Sequence, residues 1–411
     1  MDENKIDVGI VGISTVSLFS SLLLAEKGVS HNFYLEKNQA SFLLFPPLSN
    51  PITCRKSQIL EQKYLSRKTL KALYFIESYH FKWFNDNFEQ SFELTGDFQF
   101  PVYAIDNRIR LHDFWSLLKS NDLVTIKEEE NIDCIDSDEK IKIIGGGEGN
   151  SNCFPDNFDF PREKFNIKRE IIYFNLKSNK ELLEKYKHVR MMSINNVADI
   201  TLYPFLDINY SFSLSLVISI SKGGKWDVFD SLITVEDAWK KSIELISLFD
   251  KEIAEELYNS CSLEKTSSFR ISVNPYFKIP VFNKNESFFA GVGEVIAKND
   301  PITAQGYNSG ISIAKELIET IILIRNNQDV SFLKSTYFEY ANQQIGNLFH
   351  LNRAFTQHAY RFQHVYESAA KNPLLRDFIM TCYEDFSLYF PWLINENEGD
   401  KLIQNFNSKT L

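Results

Sequence analysis

Cysteine is sparse and unpatterned in this chain. Five residues (Cys54, Cys134, Cys153, Cys261 and Cys382) are odd in number, scattered, and form no C-x-x-C pair. Neither a disulfide framework nor a zinc site can be read from them, and the expectation is a reducing, cytoplasmic setting. Positive charge is also short: 44 Lys and Arg stand against 54 Asp and Glu, for a net charge of −10. With no basic stripe, nucleic acid is excluded as an expected partner. No uninterrupted apolar run is long enough to span a bilayer. The opening Met1-Asp2-Glu3-Asn4 is acidic where an export signal would be basic, so the apolar segment behind it is expected to be core. The glycines Gly145-Gly146-Gly147-Glu148-Gly149 lack a following Lys-Ser/Thr pair and do not make a P-loop. No catalytic triad, second nucleotide fingerprint, internal repeat or low-complexity linker is visible. His350, His358 and His364 have no carboxylate at metal-ligand spacing, and no metal is expected.

What is present begins at Asp7. Val8 to Val11 is a short apolar run that reads as a strand buried on both faces. A tight turn starts at Gly12. Val16, Phe19, Leu22 and Leu23 then recur at helical spacing, and Gly28 stands where a helix would end in the left-handed conformation. Asn32 to Leu35 reads as a second strand with Glu36 at its carboxyl end, 24 positions after Gly12. This strand, helix, strand and acid make the layout of a dinucleotide-binding unit, in which the acid hydrogen-bonds a ribose hydroxyl. The glycine fingerprint itself is altered. Gly12-Ile13-Ser14-Thr15-Val16-Ser17 keeps the turn glycine but carries Ser14 where pyrophosphate approaches and Ser17 where helix and strand pack closely.

Further along, Arg55 to Phe81 has helical periodicity, Phe98 to Tyr103 reads as a strand, and a helix follows Arg108. Lys127 to Lys140 is an acidic surface connection, and Ile141 to Ile144 is another buried strand. Between His188 and Phe229, Ile200, Leu202, Phe212, Leu214, Leu216, Ile218 and Ile220 alternate with polar or small residues, as in antiparallel strands with one covered face. Val235 to Tyr258 reads as one long amphipathic helix, and Ser287 to Val292 returns to the first lobe as a buried strand. Gln305-Gly306-Tyr307-Asn308 then opens a strongly helical stretch whose free N–H groups can face negative charge. The expected fold is α/β: a Rossmann-like domain from 1–165 and 280–330, an inserted β-rich domain from 166–279, and a helical segment from 331–411. The 35 Phe and 18 Tyr favour an aromatic-lined pocket.

Two distant stretches together carry a resemblance. Gly291-Val292-Gly293-Glu294, Asp300-Pro301 and Gln305-Gly306-Tyr307-Asn308 resemble the G-L-G-D, D-P and G-Q-G-x-N segments of FAD-dependent monooxygenases of the para-hydroxybenzoate-hydroxylase fold. Within that fold they are most similar to the oxygenase component of styrene monooxygenase. Ala104-Ile105-Asp106-Asn107-Arg108 looks like that family's A-V-D-Y-R. The resemblance implies that Gly12, Ser14, Thr15, Ser17, Glu36 and Lys37 hold the adenosine and pyrophosphate of FAD. It implies that Arg108 lies near the ribityl–phosphate region, that Gly293 and Glu294 meet the ribityl or pyrophosphate, and that Asp300, Pro301 and Gly306 to Asn308 frame the flavin ring. Glu294 stands where the family has aspartate, and Phe42 and Phe45 where it has arginine and asparagine.

The implied activity is insertion of one oxygen atom from molecular oxygen into a small hydrophobic, aromatic or alkenyl substrate. Reduced flavin would come from a separate reductase, and a homodimer is left open. Two rivals stand beside it: a flavoprotein-like binding protein that has lost its cofactor, and a flavoenzyme of another redox type, a dehydrogenase or halogenase. The halogenase reading lacks a W-x-W-x-I-P-like segment, which Pro391-Trp392-Leu393 does not supply.

Overall fold

The computed structural model describes residues 7–36, 49–50, 52–129, 139–146, 148–162, 169–194, 198–224, 227, 234–264, 268–284, 286–388 and 390–408. The opening strand Val8–Val11 is buried along its whole length. It pairs in parallel with His31–Glu36 on one side and Ile141–Ile144 on the other. Val124–Glu129 extends the first edge, and Ser287–Gly291 followed by the antiparallel Val281–Lys284 extends the second. The chain thus runs outward along one edge and then crosses to the other. This reversal places a topological switch point at the carboxyl end of Val8–Val11, where α/β sheets form their ligand crevices.

The helix Thr15–Glu26 links the first two strands and ends as its sequence indicates. Gly28 adopts φ 71° and donates its N–H to the Ala25 carbonyl at 2.9 Å. The helix Gly306–Asn327 packs alongside it. Their contact is close: a Cβ on Gly310 would lie 2.9 Å from Val16 Cγ2. The absence of a side chain at Gly310 therefore lets the two distant motifs meet.

The second sheet has eight strands. Its order runs Cys261–Leu263, Arg169–Ser178, Phe212–Ser221, Ala198–Leu206, Val189–Ile194, Ile76–Phe84 and Gln90–Val102, with Phe269–Val273 also on Arg169–Ser178. Pairing is antiparallel except between Ile76–Phe84 and Val189–Ile194, which is parallel. Three sequence expectations change here. The helical reading of Arg55 to Phe81 holds only for Arg55–Glu61 and Arg67–Ala72, because Ile76–Phe84 is a strand. Both faces of the sheet are covered. Leu202, Leu214, Leu216, Ile218 and Ile220 pack on a helical layer, whereas the opposite face turns toward the first lobe. That helical layer is two helices, Val235–Phe249 and Lys251–Ser260. Asp250 is extended at the break and accepts the Ile253 N–H at 3.2 Å, so its carboxylate starts a new helix.

The helices Glu339–Thr356, Ala359–Lys371, Pro373–Cys382 and Glu396–Asn407 complete the chain and share the main core with the parallel sheet. No helix among the described residues is long and apolar enough to cross a membrane. Cys153 is disulfide-bonded, a pairing that the scattered cysteines of the sequence do not reveal, while Cys54, Cys261 and Cys382 are free.

Candidate functional site

A cavity of about 390 Å³ lies at the switch point. Its size falls in the range of small-molecule pockets, roughly 300–1,000 Å³. Four parts of the chain meet there. Ile13 to Val16 come from the first turn, and Gly293, Glu294, Pro301 to Ala304, Gly306 and Tyr307 from the second motif. The eight-stranded sheet contributes Tyr79, Tyr173, Val189, Met191, Thr201, Tyr203 and Val217, and the C-terminal helices contribute Leu351, Phe355 and Tyr383.

The floor of this chamber follows from sheet register. Met191 pairs with Thr201, Thr201 with Val217, and Val217 with Tyr173, so one row crosses four strands. Period-2 alternation puts all four side chains on one face. Three of the tyrosine hydroxyls nearby are bonded within the protein. Tyr79 donates to Met191 Sδ at 3.2 Å, Tyr203 bonds Ser49 Oγ at 2.9 Å, and Tyr383 bonds Tyr366 at 2.8 Å. Burial raises the pKa of Tyr79, Tyr173 and Tyr203, so these groups stay neutral in the ordinary pH range. Glu294 is the one charged side chain among the described lining residues.

At the first turn, Gly12 takes φ 83°, and a Cβ there would lie 2.6 Å from the Gly145 carbonyl oxygen and 2.5 Å from Asn150 Nδ2. Only glycine fits this position without strain. The two serines that replace fingerprint glycines bond to one another. Ser14 Oγ accepts the Ser17 N–H at 3.1 Å, Ser17 Oγ accepts the Ser14 N–H at 2.8 Å, and the hydroxyls lie 3.0 Å apart. This reciprocal cap satisfies the Ser14 and Ser17 amides from within the chain. Ser14 and Thr15 still line the cavity, whereas Gly12 and Ser17 stand behind it.

At the second motif, Asp300 turns away from the cavity. Its carboxylate caps Ile302 N–H at 3.0 Å and lies 3.4 Å from Arg169 Nε, both side chains being 1 % exposed. Arg169 also pairs with Asp199. Burial raises the Asp300 pKa against the opposing pull of Arg169. Ala304 has φ 53°, a left-handed conformation. Counted back from Gln305-Gly306, it occupies the seat of the first glycine in G-Q-G-x-N. The helix that begins at Gly306 has no side-chain cap. Asn308 is a clamp: its Nδ2 donates to Ile52 O at 2.8 Å and its Oδ1 accepts Cys54 N–H at 3.2 Å.

Of the residues singled out from sequence, the cavity therefore gathers Ser14, Thr15, Gly293, Glu294, Pro301, Gly306 and Tyr307. Asp300 and Asn308 support its wall. Arg108 folds back onto Asp106, with Nη2 to Oδ2 at 2.6 Å, and its neighbour Asn107 lines the cavity instead. Glu36 ends its strand outside the lining, and Lys37, Phe42 and Phe45 lie outside the described residues. Ala304, Thr201, Met191 and Tyr173 escaped the sequence reading. Only Ala304 left a signal there, by its place in the motif.

No protein-family model and no curated protein matches the chain. Solved structures do. The flavin-dependent brominase Bmp2 superposes with a TM-score of 0.70 at 13 % identity, covering 98 % of this chain and 100 % of its own. A flavoprotein/dehydrogenase from Cytophaga hutchinsonii gives 0.69 at 12 % identity, over 99 % and 100 %. The p-nitrophenol 4-monooxygenase PnpA from Pseudomonas putida DLL-E4 gives 0.62 at 13 % identity, over 93 % and 98 %. Along almost its whole length, the chain has the fold of these proteins: a Rossmann-like parallel sheet joined to a second, β-rich layer and closing helices.

Proposed function

We propose that the chain is a FAD-dependent monooxygenase acting on a small, uncharged, hydrophobic molecule, aromatic or alkenyl, of the styrene and indole type. The observation that carries this reading is the junction itself. Segments nearly 300 residues apart, Ile13–Val16 and Gly293–Tyr307, line one chamber whose floor is apolar and aromatic. The helix start at Gly306 lines the cavity without a side-chain cap, so its first amides can face the edge of a flat flavin ring. On that ground the residues present fit FAD.

Thr15 and Val16, whose amides the Ser14–Ser17 cap does not use, would hold its pyrophosphate, and Glu294 would meet its ribityl chain. Pro301 and Gly306 to Tyr307 would frame its ring. Reduced flavin, when bound, supplies the activation of oxygen. The chain's own part is to orient and to keep dry. Tyr173, Met191, Thr201 and Val217 form a wall that excludes water from the substrate face, and the inward-bonded tyrosine hydroxyls leave little to hold a charged substrate. Among the described residues the lining has no cysteine, lysine or histidine, in keeping with chemistry that resides in the cofactor.

In this reading a separate reductase supplies the reduced flavin. Residues 1–165 with 280–330 form the cofactor lobe, 166–279 the substrate lobe and 331–411 the closing helices, and sheet membership moves the hairpin Ile76–Val102 into the substrate lobe. The test is a titration of purified protein with FAD, oxidised and dithionite-reduced, followed by oxygen uptake with styrene or indole and chemically reduced FAD. Saturable binding with epoxide or hydroxylated product is expected. Flavin-loaded protein that yields no product from any hydrophobic aromatic overturns the oxygenase reading.

A second reading, a binding protein without cofactor, is favoured by one observation. The Ser14–Ser17 cap already occupies an amide that a phosphate would use. It predicts no flavin binding in either redox state.

A further inference from the structure

Behind the wall formed by Tyr307 lies a buried ion pair that the reading above leaves without a task. Glu61 and Arg110 are both fully buried, with Arg110 Nε 2.8 Å from Glu61 Oε2. Glu61 Oε1 accepts the Tyr103 hydroxyl at 2.6 Å and Arg110 Nη2 at 3.3 Å, and Oε2 also accepts the Tyr307 hydroxyl. Arg110 donates further to the Ile105 carbonyl at 3.1 Å, Asn107 Oδ1 at 3.0 Å and Thr53 Oγ1 at 2.9 Å. Its guanidinium lies 4.4 Å from the centre of the Tyr307 ring. Tyr307 and Asn107 line the cavity, and Thr53 follows Ile52, which also lines it.

Two full charges taken out of water are costly, and apolar residues of equal volume commonly fill such space with no loss of stability. Holding the wall together does not require them. The network does something apolar residues cannot: it places a fixed cation and a fixed anion one side chain from the cavity, joined through the first residues of the Gly306 helix. Burial opposes the guanidinium charge but Glu61 more than offsets it, so Arg110 stays protonated.

We propose that Glu61 and Arg110, acting through Tyr307, are positioning residues that set the charge felt in the cavity and thereby the preference of the site for reduced over oxidised flavin. This rests on the FAD reading. The reduced flavin ring carries an added negative charge near neutral pH, so it is sensitive to the balance of this pair in a way the oxidised ring is not. Removing the charge of Glu61 leaves the guanidinium uncompensated and favours the reduced form. Removing a neutral donor from Glu61 leaves the carboxylate less compensated and does the reverse.

The experiment measures FAD dissociation constants, oxidised and reduced, for wild type, Glu61→Gln and Tyr103→Phe, with melting of the flavin-free proteins as the control for folding. Tyr103 does not line the cavity, so its variant changes only the pair. In Glu61→Gln the ratio of oxidised to reduced dissociation constants should rise about tenfold, the order expected of one nearby charge inside protein. In Tyr103→Phe the ratio should fall by about twofold to threefold, the size of a lost hydrogen bond to a charged group partly replaced by its neighbours.

A purely structural network would weaken both redox forms together and leave the ratio fixed. An unchanged ratio in both variants, or a shift of the same sign, overturns the proposal. If Glu61→Gln gives no cooperative melt, Tyr103→Phe alone decides it by the sign of its shift. Wild-type protein that binds neither form of FAD removes the cofactor reading itself, a different failure from binding that ignores the pair.

Discussion

Ser17 and Gly145 bring the first helix close against the end of a sheet strand: a Cβ on Gly145 would lie 2.5 Å from Ser17 Cβ. The dinucleotide fingerprint normally places its small residue on the helix at this contact. Here the helix carries the side chain and the strand end has lost its own, so the glycine has changed sides. Gly145→Ala should destabilise the protein by about 1–3 kcal/mol, the usual cost of an overpacked core contact. Adding Ser17→Gly should recover most of that loss, a coupling between neighbours readable in a double-mutant cycle of denaturant midpoints. A Gly145→Ala protein within about 0.5 kcal/mol of wild type would mean that the contact gives way freely.

That exchange was invisible along the chain, because Ser17 and Gly145 are partners only in three dimensions. The opening strand, helix and strand are readable from the apolar run Val8 to Val11 and the helical spacing of Val16, Phe19, Leu22 and Leu23, although both elements are buried on every side. The strand Ile76–Phe84 had a signal as well: Tyr79, Phe81 and Trp83 alternate with His80 and Lys82. It was masked by the charged helices before it, whose exposed faces continue the same mixed pattern. The chamber floor was not readable at all. Alternation identifies two faces of the strands 198–206 and 212–221, and the more apolar face, Ile200 to Ile220, reads as the covered one. The other face, with Thr201, Tyr203 and Val217, lines the cavity, and that depends on which lobe it meets rather than on its own hydropathy.

Ala304 is an alanine held at φ 53°, where its Cβ crowds the following carbonyl. The left-handed conformation costs a residue with a side chain about 1–2 kcal/mol, partly offset by the smaller unfolded-state freedom of alanine relative to glycine. Ala304→Gly should therefore stabilise the protein by about 0.5–1 kcal/mol, seen as a higher melting temperature. A lower one would show that the methyl group makes contacts worth more than the strain.

His80 and His188 stack face to face, with ring centres 3.8 Å apart. Burial, then the neighbouring charges of His80, Arg190 and Lys187, lower the His188 pKa to about 3. His80 is lowered in the same direction, by burial and then Arg190. Both favour the neutral form when folded. An unfolded histidine titrates near 6.5, so between that value and the folded pKa the unfolded chain binds more protons. The stabilising contribution is thus present above about pH 6.5 and is lost as pH falls toward 3. His188→Gln should flatten the dependence of melting temperature on pH between about 4 and 6.5 relative to wild type. Parallel curves for the two proteins would show that the stacked pair does not titrate on unfolding.

Ser14 bears on whether the first turn can take a phosphate. Its hydroxyl accepts the Ser17 amide at 3.1 Å, and Ser14 itself lines the cavity. A phosphate bound at this helix start would compete with that hydroxyl for the amide. Replacing an N-cap serine by glycine typically costs only a few tenths of a kcal/mol, because glycine keeps the extended cap conformation and lets water or a ligand reach the amides. Ser14→Gly should then leave the melting temperature nearly unchanged and tighten FAD binding by about threefold to tenfold, since a charge-assisted bond to phosphate replaces a neutral one. ADP titration reports on this end of the cofactor alone and should show the same gain. Weaker binding in Ser14→Gly would instead mean that the serine hydroxyl itself donates to the phosphate and that the cap opens when the ligand arrives. No binding of ADP or FAD to either protein would favour the binding-protein reading, in which the two serines have closed the first turn to phosphate.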